Sequence, residues 1–333
     1  MSSRVLVTGG AGYIGSHMCR LLAGEGFDVT VFDNLSTGHR AAVQWGALVE
    51  GDLREPDDID AAIGGGDFEA VFHFGACSQV GESVKDPGKY YRNNVNGSVN
   101  LLQAMRRHGV SRIVFSSTAA VYGNPEIVPI PETHRVEPIN PYGASKLMIE
   151  RVLADFASAH GIASASLRYF NAAGASDDAS IGEAHDPETH LIPRVLDAIV
   201  AGRAVGVFGD DYDTPDGTCI RDYIHVDDLC SAHLLALDHL QRTQESITLN
   251  LGTGHGYSVR EVIGAAAAVA GRDANVAIEP RRAGDPAVLV ACADRAHEVL
   301  GWRAQKSDLE SMIASVWRWE KKRRGLDVAT SAS

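Results

Sequence analysis

An α/β fold built on a doubly wound parallel sheet, with a smaller mixed α/β domain at the C-terminal side, is what three observations predict. β-branched runs alternate with helical patterns over the first half of the chain. A glycine-rich turn joins the first run to the first helix. After Asn171 the alternation gives way to chain rich in Gly, Asp and Pro. The elements follow in order. Arg4-Val-Leu-Val-Thr8 is a strand, and helical spacing at Ile14, Met18, Leu21 and Leu22 then runs to Gly24 and Gly26. Val29–Phe32 is a second strand, stopped by Asp33-Asn34, and Ala70–Phe74 is another. A long helix is expected from Pro87 to just before Gly109. Arg112–Ser116 is a strand, Pro141 opens a helix, and Ala163–Leu167 is again a strand. Strands separated by helices are βαβ units, whose parallel sheet is covered on both faces. Further on, Ser258-Val-Arg-Glu261 and Ser307-Asp-Leu-Glu310 read as capping boxes, each Ser accepting from the third helical N–H while the Glu reaches back. We expect a sheet domain over 1–171, also receiving part of 224–252, and a second domain over 172–333. The tail from Ala329 to Ser333 is expected to fray.

Composition narrows the function. The 333 residues exceed the ~250–300 at which one core stops growing. Apolar residues are 45% and charged residues 22%, ordinary globular values. With 30 Lys plus Arg against 43 Asp plus Glu, the net charge is −13. That balance opposes wrapping nucleic acid or lying on an anionic membrane. Five dispersed cysteines without a C-x-x-C pair form neither a disulfide framework nor a zinc ribbon. The N-terminus lacks the apolar core of a signal peptide, and the apolar stretch Val262–Ala270 is too short to span a bilayer. A cytoplasmic protein is the expectation.

Gly10, Gly12 and Gly15 form G-x-G-x-x-G between the first strand and helix, preceded by Gly9 and enclosing Tyr13 and Ile14. Absent side chains allow a tight turn, close approach of a pyrophosphate and close helix–strand packing. Free N–H groups at the helix start then face the phosphates. Asp33 lies 18 residues past Gly15, at the end of the second strand. A carboxylate there accepts from ribose hydroxyls and repels a 2′-phosphate, favouring NAD over NADP. Arg40 is near enough in sequence to reach a 2′-phosphate, so NADP stays open. The first domain is thus Rossmann-like.

Asn140-Pro141-Tyr142-Gly-Ala-Ser-Lys146 opens a helix with a good cap and Pro at its first position. Tyr142 and Lys146 then share a face at i and i+4. A free phenol titrates near ~10. A nearby ammonium and an oxidised nicotinamide both favour the phenolate, so the pair is a way to build a general base. Such pairs are also common on solvated helices. Here a dinucleotide loop shares the sheet, and Phe115-Ser116-Ser117-Thr118 ends a strand where parallel sheets bind ligands.

Together these residues resemble the extended short-chain dehydrogenase/reductases. Gly9–His17, Asn93–Gly97, Leu167–Asn171, Asp216–Val226 and Arg281-Arg-Ala-Gly-Asp285 narrow the resemblance to the UDP-glucose 4-epimerases, from the first strand to about Trp302. The resemblance implies interconversion of UDP-glucose and UDP-galactose with retained NAD. Tyr142 takes the proton of the sugar 4-OH, C4 gives its hydride to NAD, the 4-keto sugar rotates, and the hydride returns to the other face. Lys146 holds the nicotinamide ribose and tunes Tyr142; Thr118 shuttles the 4-oxygen's proton. It implies an NAD site of Gly9, Gly12, Tyr13, Ile14, Gly15, Asp33, Asn34, Asp52, Leu53, Phe74, Gly75, Ala76, Asn94 and Ser116, completed by Tyr142, Lys146, Tyr169 and Phe170. The UDP-hexose falls to Thr118, Tyr142, Asn171, His190, Leu191, Val207, Phe208, Tyr223 and Leu289, with Arg221 and Arg282 on the diphosphate and Asp285 on the uridine ribose. Forked guanidinium groups suit phosphate oxygens.

Three positions depart from the family pattern. His190 stands for an asparagine and Ser78 for a lysine. Leu289 stands at a pocket gate held by tyrosine in narrow-specificity members, which implies that UDP-N-acetylglucosamine and UDP-N-acetylgalactosamine also fit. His185, His190, His225, His233 and His239 come without a metalloprotease or paired-carboxylate spacing; we read them as helix-face and core residues and expect no metal. A dehydratase would carry Asp-Glu after Thr118, where Ala119-Ala120 stand. Another nucleotide-sugar epimerase, of uronates or N-acetylhexosamines, is the alternative. A non-catalytic NAD-binding regulator would not need the phenol, lysine and threonine together. The resemblance also implies a homodimer through helices near 88–108 and 141–160. The spacing of Leu101, Leu102 and Met105 is equally explained by packing on the sheet.

Overall fold

The computed structural model describes residues 2–282 and 285–326, so the expected fraying of Ala329–Ser333 lies outside the described residues. The first half alternates as expected: β1 (Arg4–Thr8), α1 (Tyr13–Gly24), β2 (Asp28–Asp33), β3 (Ala47–Glu50), α2 (Pro56–Gly64) and β4 (Phe68–His73). The helix expected after Pro87 runs without a gap to Arg107, with a change of winding inside it. Beyond α3 (Val80–Lys85) come α4 (Pro87–Tyr90), a wide turn of π-helix over Tyr91–Asn96, and α5 (Gly97–Arg107). Then follow β5 (Arg112–Thr118), α6 (Pro141–His160) and β6 (Ala163–Tyr169). The rest comprises β7 (Asn171–Ala173), α7 (Leu191–Ala201), β8 (Val205–Phe208), β9 (Ile220–His225), α8 (Val226–Thr243), β10 (Ile247–Leu251), β11 (Gly256–Ser258), α9 (Val259–Ala270), β12 (Val276–Glu279), β13 (Val288–Leu289), α10 (Asp294–Leu300) and α11 (Leu309–Arg324).

The main sheet has seven strands in the order β10-β6-β5-β4-β1-β2-β3, all parallel. Its apolar runs are buried on both faces. One face packs Met18, Leu22, Leu229, Leu237 and Trp302; the other packs Ile59, Leu101, Met105, Ile149 and Leu153. Leu101, Leu102 and Met105 are fully buried, so their spacing serves the sheet. The order reverses between β1 and β4. There the connections diverge to opposite faces and leave a crevice at the carboxyl ends of the strands. The sheet also takes α8 and β10 from beyond residue 172. A third core, among α7, α9 and α11, includes Val195, Ile199, Val262, Met312 and Ile313, and β9 carries β7, β11 and β13 beside it.

Local signals explain the helix starts. Asn140 accepts from Gly143 N at 2.9 Å and Pro141 holds the first position of α6. Ser258 and Glu261 make the expected capping box on α9. The second expected box is displaced by one residue: Asp308, not Ser307, caps α11 by accepting from Ser311 N at 2.8 Å. Ser307 instead donates to Asp228 at 2.7 Å and accepts from His225 N, a long-range competition that local spacing does not carry.

A buried ion pair sits where β5, β6 and α6 meet. Glu150 of α6 accepts from Arg168 Nε at 2.9 Å, Arg168 Nη2 at 2.6 Å and Ser117 Oγ at 2.5 Å. Arg168 Nη1 donates to Tyr122, whose hydroxyl donates to Asn250. The Arg168 and Glu150 side chains are each 8% exposed, so truncating one strands the other without water. Glu150→Leu should therefore cost about 3–5 kcal/mol, read as a lower urea midpoint. Adding Arg168→Met should recover a large part of it; a double variant no more stable than Glu150→Leu refutes the account.

Candidate active site

The crevice is built from strand ends. β1 passes into the Gly9–Gly15 turn, β4 into Phe74–Ala76, and β5 ends at Thr118. Beneath the reversal point, His73 joins Thr8 Oγ1 at 2.7 Å and Ser98 Oγ at 2.8 Å. Burial, helped by the charge of Lys146, lowers its pKa to about 3, so it is a neutral brace tying β4 to β1 and α5.

Two glycines of the turn are sterically required. Gly9 has φ +73°, and a Cβ there would lie 2.6 Å from Gly75 N; one on Gly15 would lie 2.1 Å from Gly9 O. Gly12 differs, since its Cβ would meet only Gly9 O, at 3.3 Å. No side chain caps α1, so the N–H groups of its first turn face the crevice with the positive end of the helix dipole. Asp33 is buried and accepts from Ala11 N at 3.0 Å and Leu35 N at 2.8 Å. Burial raises its pKa while these two amides oppose it. Arg40, the residue that left NADP open, donates to both oxygens of Glu50, which pairs with Asp33 across β2 and β3. A glycine cradle, an uncapped helix start and a carboxylate after β2 fit a dinucleotide.

The flanks of the cradle are partly committed to each other. Asp52 accepts from Asn34 Nδ2 at 3.0 Å and Arg54 Nε at 2.9 Å; the Arg54 guanidinium holds its carboxyl well below the usual range. Leu53 is buried with Phe32 and Ile59. Phe74 stacks against His233, ring centroids 5.0 Å apart. Asn94 is fully buried, bonded to Cys77 O, Cys77 N and Ser145 Oγ. It shapes the 75–78 turn against α6 with its own amide already satisfied.

Tyr142, Lys146 and Thr118 come together as the sequence implied. Lys146 is 3% exposed and donates to Ser116 O at 2.8 Å, over the Phe115 ring at 4.8 Å. Burial lowers its pKa to about 7. Tyr142 is 8% exposed. Burial raises its pKa, and a hydrogen bond with Thr118 opposes the rise. Lys146 is thus engaged with a carbonyl rather than with the phenol. Ser116 Oγ meets the Tyr169 hydroxyl at 2.7 Å, and Phe170 packs with Val121, Tyr122 and Leu289.

The small sheet assembles the other half. Asn171 pairs in register with Tyr223 across β7 and β9, and Leu289 with Arg221 across β13 and β9. Asn171 Nδ2 donates to Asp222 O at 3.0 Å. Arg221 and Asp285, expected on different parts of a nucleotide, form an ion pair with one another. The Arg282 guanidinium lies over Phe208, 3.9 Å from the centroid, with no side-chain hydrogen bond or ion pair among the described residues. Val207 is buried beside it on β8. Leu191 opens α7, whose N-cap, His190, makes no capping bond. Its Nδ1 reaches Glu183 and Glu188 at 2.7 and 3.0 Å.

The reading of the late histidines divides. His225 caps α8, and His233 and His239 are buried in it. His185 and His190, however, do come with paired carboxylates, Glu183 and Glu188. The spacing Glu-x-His-x-x-Glu-x-His was the available signal. Sequence reasoning also missed Asp222, fully buried and accepting from Thr253 N, Gly254 N and Ala291 N, which holds β9 to the 252–254 turn. Nothing local marks a partner some thirty to seventy residues away.

Comparison with known proteins agrees with this architecture. The family model described as the NAD dependent epimerase/dehydratase family matches residues 5–252, and the chain belongs to that family. Within it, the similarity is to UDP-glucose 4-epimerases. That of Rhizobium meliloti (strain 1021) is 49% identical over 97% of this chain and 98% of its own. The UDP-glucose 4-epimerase structure from Brucella ovis in complex with NAD has a TM-score of 0.93 at 49% identity, covering 96% of this chain and 98% of that one. The UDP-Glc/GlcNAc 4-epimerase of Campylobacter jejuni has a TM-score of 0.84 at 44% identity, covering 96% and 100%.

The glycines give a graded prediction. Gly15→Ala, which drives a Cβ into the backbone of Gly9, should unfold or distort the turn, seen as a fall in melting temperature. Gly12→Ala should fold normally yet bind NAD at least tenfold more weakly by calorimetry, because a methyl group crowds the pyrophosphate approach. Equal NAD affinity in Gly12→Ala and the unaltered protein would contradict this placement.

Proposed function

We propose that this chain interconverts UDP-glucose and UDP-galactose by transient oxidation at C4, with Tyr142 as general base. The observation that carries the assignment is the convergence of Tyr142, Thr118 and Lys146 beside the glycine cradle. Bound NAD supplies a reversible hydride acceptor and, when oxidised, a positive charge. Tyr142 accepts the proton of the sugar 4-hydroxyl and returns it to the 4-oxygen; Thr118 bonds that oxygen and relays the proton. Lys146, already positioned by Ser116 O, holds a ribose hydroxyl and favours phenolate when charged. Burial of both side chains keeps water from the exchanging proton. Asp33 accepts from the adenosine ribose hydroxyls, and its negative charge supports NAD over NADP. Asn34 and Asp52 lie toward the adenine, and Phe74, Gly75, Ala76, Ser116, Tyr169 and Phe170 toward the nicotinamide.

Arg282 has no ion-pair partner among the described residues, and we assign it the diphosphate, with Arg221 recruited as the phosphate competes with Asp285. Anchoring UDP away from C4 leaves the oxidised sugar free to turn. Asn171, Leu191, Val207, Phe208, Tyr223 and Leu289 wall the pocket. Leu289 and Phe170 both pack against the cluster of Ala119, Val121, Tyr122 and Ile130, and the Leu289 side chain lacks the reach of a tyrosine. That leaves room for a C2 acetamido group, so UDP-N-acetylhexosamines are proposed as further substrates.

Proton NMR of UDP-galactose with pure protein should show UDP-glucose accumulating to equilibrium without net NADH. Tyr142→Phe should lower turnover at least a thousandfold while NAD stays bound. Turnover should also fall as pH drops, because the phenol must be unprotonated to accept a proton. Unchanged turnover in Tyr142→Phe removes it as the base. In the same assay, a rate with UDP-N-acetylglucosamine near zero removes the broader specificity.

We further propose a homodimer through the outer faces of α5 and α6, where Met148 is 47% exposed. Sedimentation velocity at micromolar protein should give twice the chain mass; a monomer there rejects it. The five cysteines are all free, which supports a reducing compartment. Among the described residues no helix is long and apolar enough to cross a membrane.

A further inference from the structure

We infer that Glu183, His185, Glu188 and His190 form a binding site for a zinc-like divalent cation at the start of α7. One donor atom from each lies within 4.8 Å of all the others. His185 Nδ1 is 3.0 Å from Glu183 Oε1 and 3.7 Å from Glu188 Oε2. His190 Nδ1 is 2.7 Å from Glu183 Oε1 and 3.0 Å from Glu188 Oε1. A tetrahedral ion with bonds of ~2.1 Å separates its donors by about 3.4 Å, so the four side chains need only small rotations to ligate.

Two features favour an ion over a plain hydrogen-bonded cluster. His185 Nδ1 is buried with no acceptable hydrogen bond, although a carboxylate oxygen is 3.0 Å away. It is therefore close to that oxygen but not aimed at it, as two ligands of one ion are. Glu183, with a side chain 3% exposed, has only histidines as ion-pair partners among the described residues. A divalent cation neutralises both carboxylates while both imidazoles stay neutral, displacing any Nδ1 protons to solvent. Two nitrogens and two carboxylate oxygens suit zinc and its first-row neighbours better than calcium or magnesium, which prefer all-oxygen shells. Four protein ligands make a closed, structural site.

Its location gives it a consequence. The 183–190 segment precedes α7 and lines a cavity of about 440 Å³ with Arg194, Arg203 and Arg324. Tyr13 of the glycine turn packs its ring edge against His185 at 6.5 Å and donates to Gly174 O at 2.6 Å. His39 meets Ala184 O at 2.6 Å, and Trp319 Nε1 donates to Glu183 O at 3.1 Å. An ion here pins the strap that joins the cofactor cradle to α7 and α11.

The test is calorimetric titration of zinc chloride into chelator-treated, NAD-loaded protein. One zinc per chain is expected, with a melting temperature several degrees higher in saturating zinc. Cobalt(II) should give the intense visible absorption of a tetrahedral site. His185→Gln and Glu188→Gln should each weaken zinc binding at least tenfold while keeping bound NAD and the native circular dichroism. Cys77→Ser should bind zinc unchanged. Absence of zinc binding at micromolar concentration overturns the inference, as does binding that survives both variants or is lost in Cys77→Ser. Should either variant misfold, the cobalt spectrum of the unaltered protein decides between a tetrahedral site and none.

Discussion

The pairing of Arg168 with Glu150 is the interaction on which the site depends most. It is buried, charged and shared by β5, β6 and α6, and it extends through Tyr122 to Asn250 on β10. Three members of this network lie close in sequence to candidate site residues: Ser117 precedes Thr118, Arg168 precedes Tyr169, and Glu150 lies one helical turn beyond Lys146. A buried ion pair is not in itself a strong source of stability. Its geometry is exacting, however, since a register slip of one residue along β6 would turn Arg168 to the opposite face and strand Glu150. Positional specificity, rather than net energy, is what the pair contributes to the crevice.

Burial then works on the two titrating residues in opposite senses. It raises Tyr142 and lowers Lys146, so each is pushed toward its neutral form. The protein by itself therefore keeps the phenol protonated. A positive charge brought by an oxidised cofactor favours phenolate and couples the base's readiness to the redox state of the site. Once the sugar has been oxidised and that charge is gone, the phenol holds its proton again. The same low dielectric that makes the uncharged resting state stable makes the response to one charge large.

Much of this was legible in the sequence because its signals are local. The glycine turn, Asp33, the capped start of α6 and the i, i+4 placement of Tyr142 and Lys146 each follow from a few adjacent residues. What escaped was decided over long range. Ser307 reads as a cap until Asp228, far away in sequence, takes its hydroxyl. The bonds of Asn94 to Cys77 and Ser145 reach residues 17 and 51 positions away. The ion pair of Arg221 with Asp285 joins residues 64 apart and has no local signal. The helix after Pro87 was legible, but its wider winding over Tyr91–Asn96, where Asn94 bonds Ser145 of α6, has no local signal.

The two arginines illustrate how the fold divides labour in the second half. Arg221 is held by Asp285 and by the carbonyls of Ile220 and Ala287, so its position is fixed before any ligand arrives. Arg282 has only the Phe208 ring beneath it, which orients the guanidinium plane while leaving its donor edge open. A pre-paired cation loses part of its gain to the partner it must share, whereas a stacked one keeps its forked donors for an incoming phosphate. On the proposed assignment, the stronger anchor is therefore the arginine with fewer protein contacts. It lies over Phe208 at the end of β8, outside the main sheet. A diphosphate bound there would be held apart from a sugar carbon at Tyr142. On that proposal, the separation lets the sugar present either face without the nucleotide letting go.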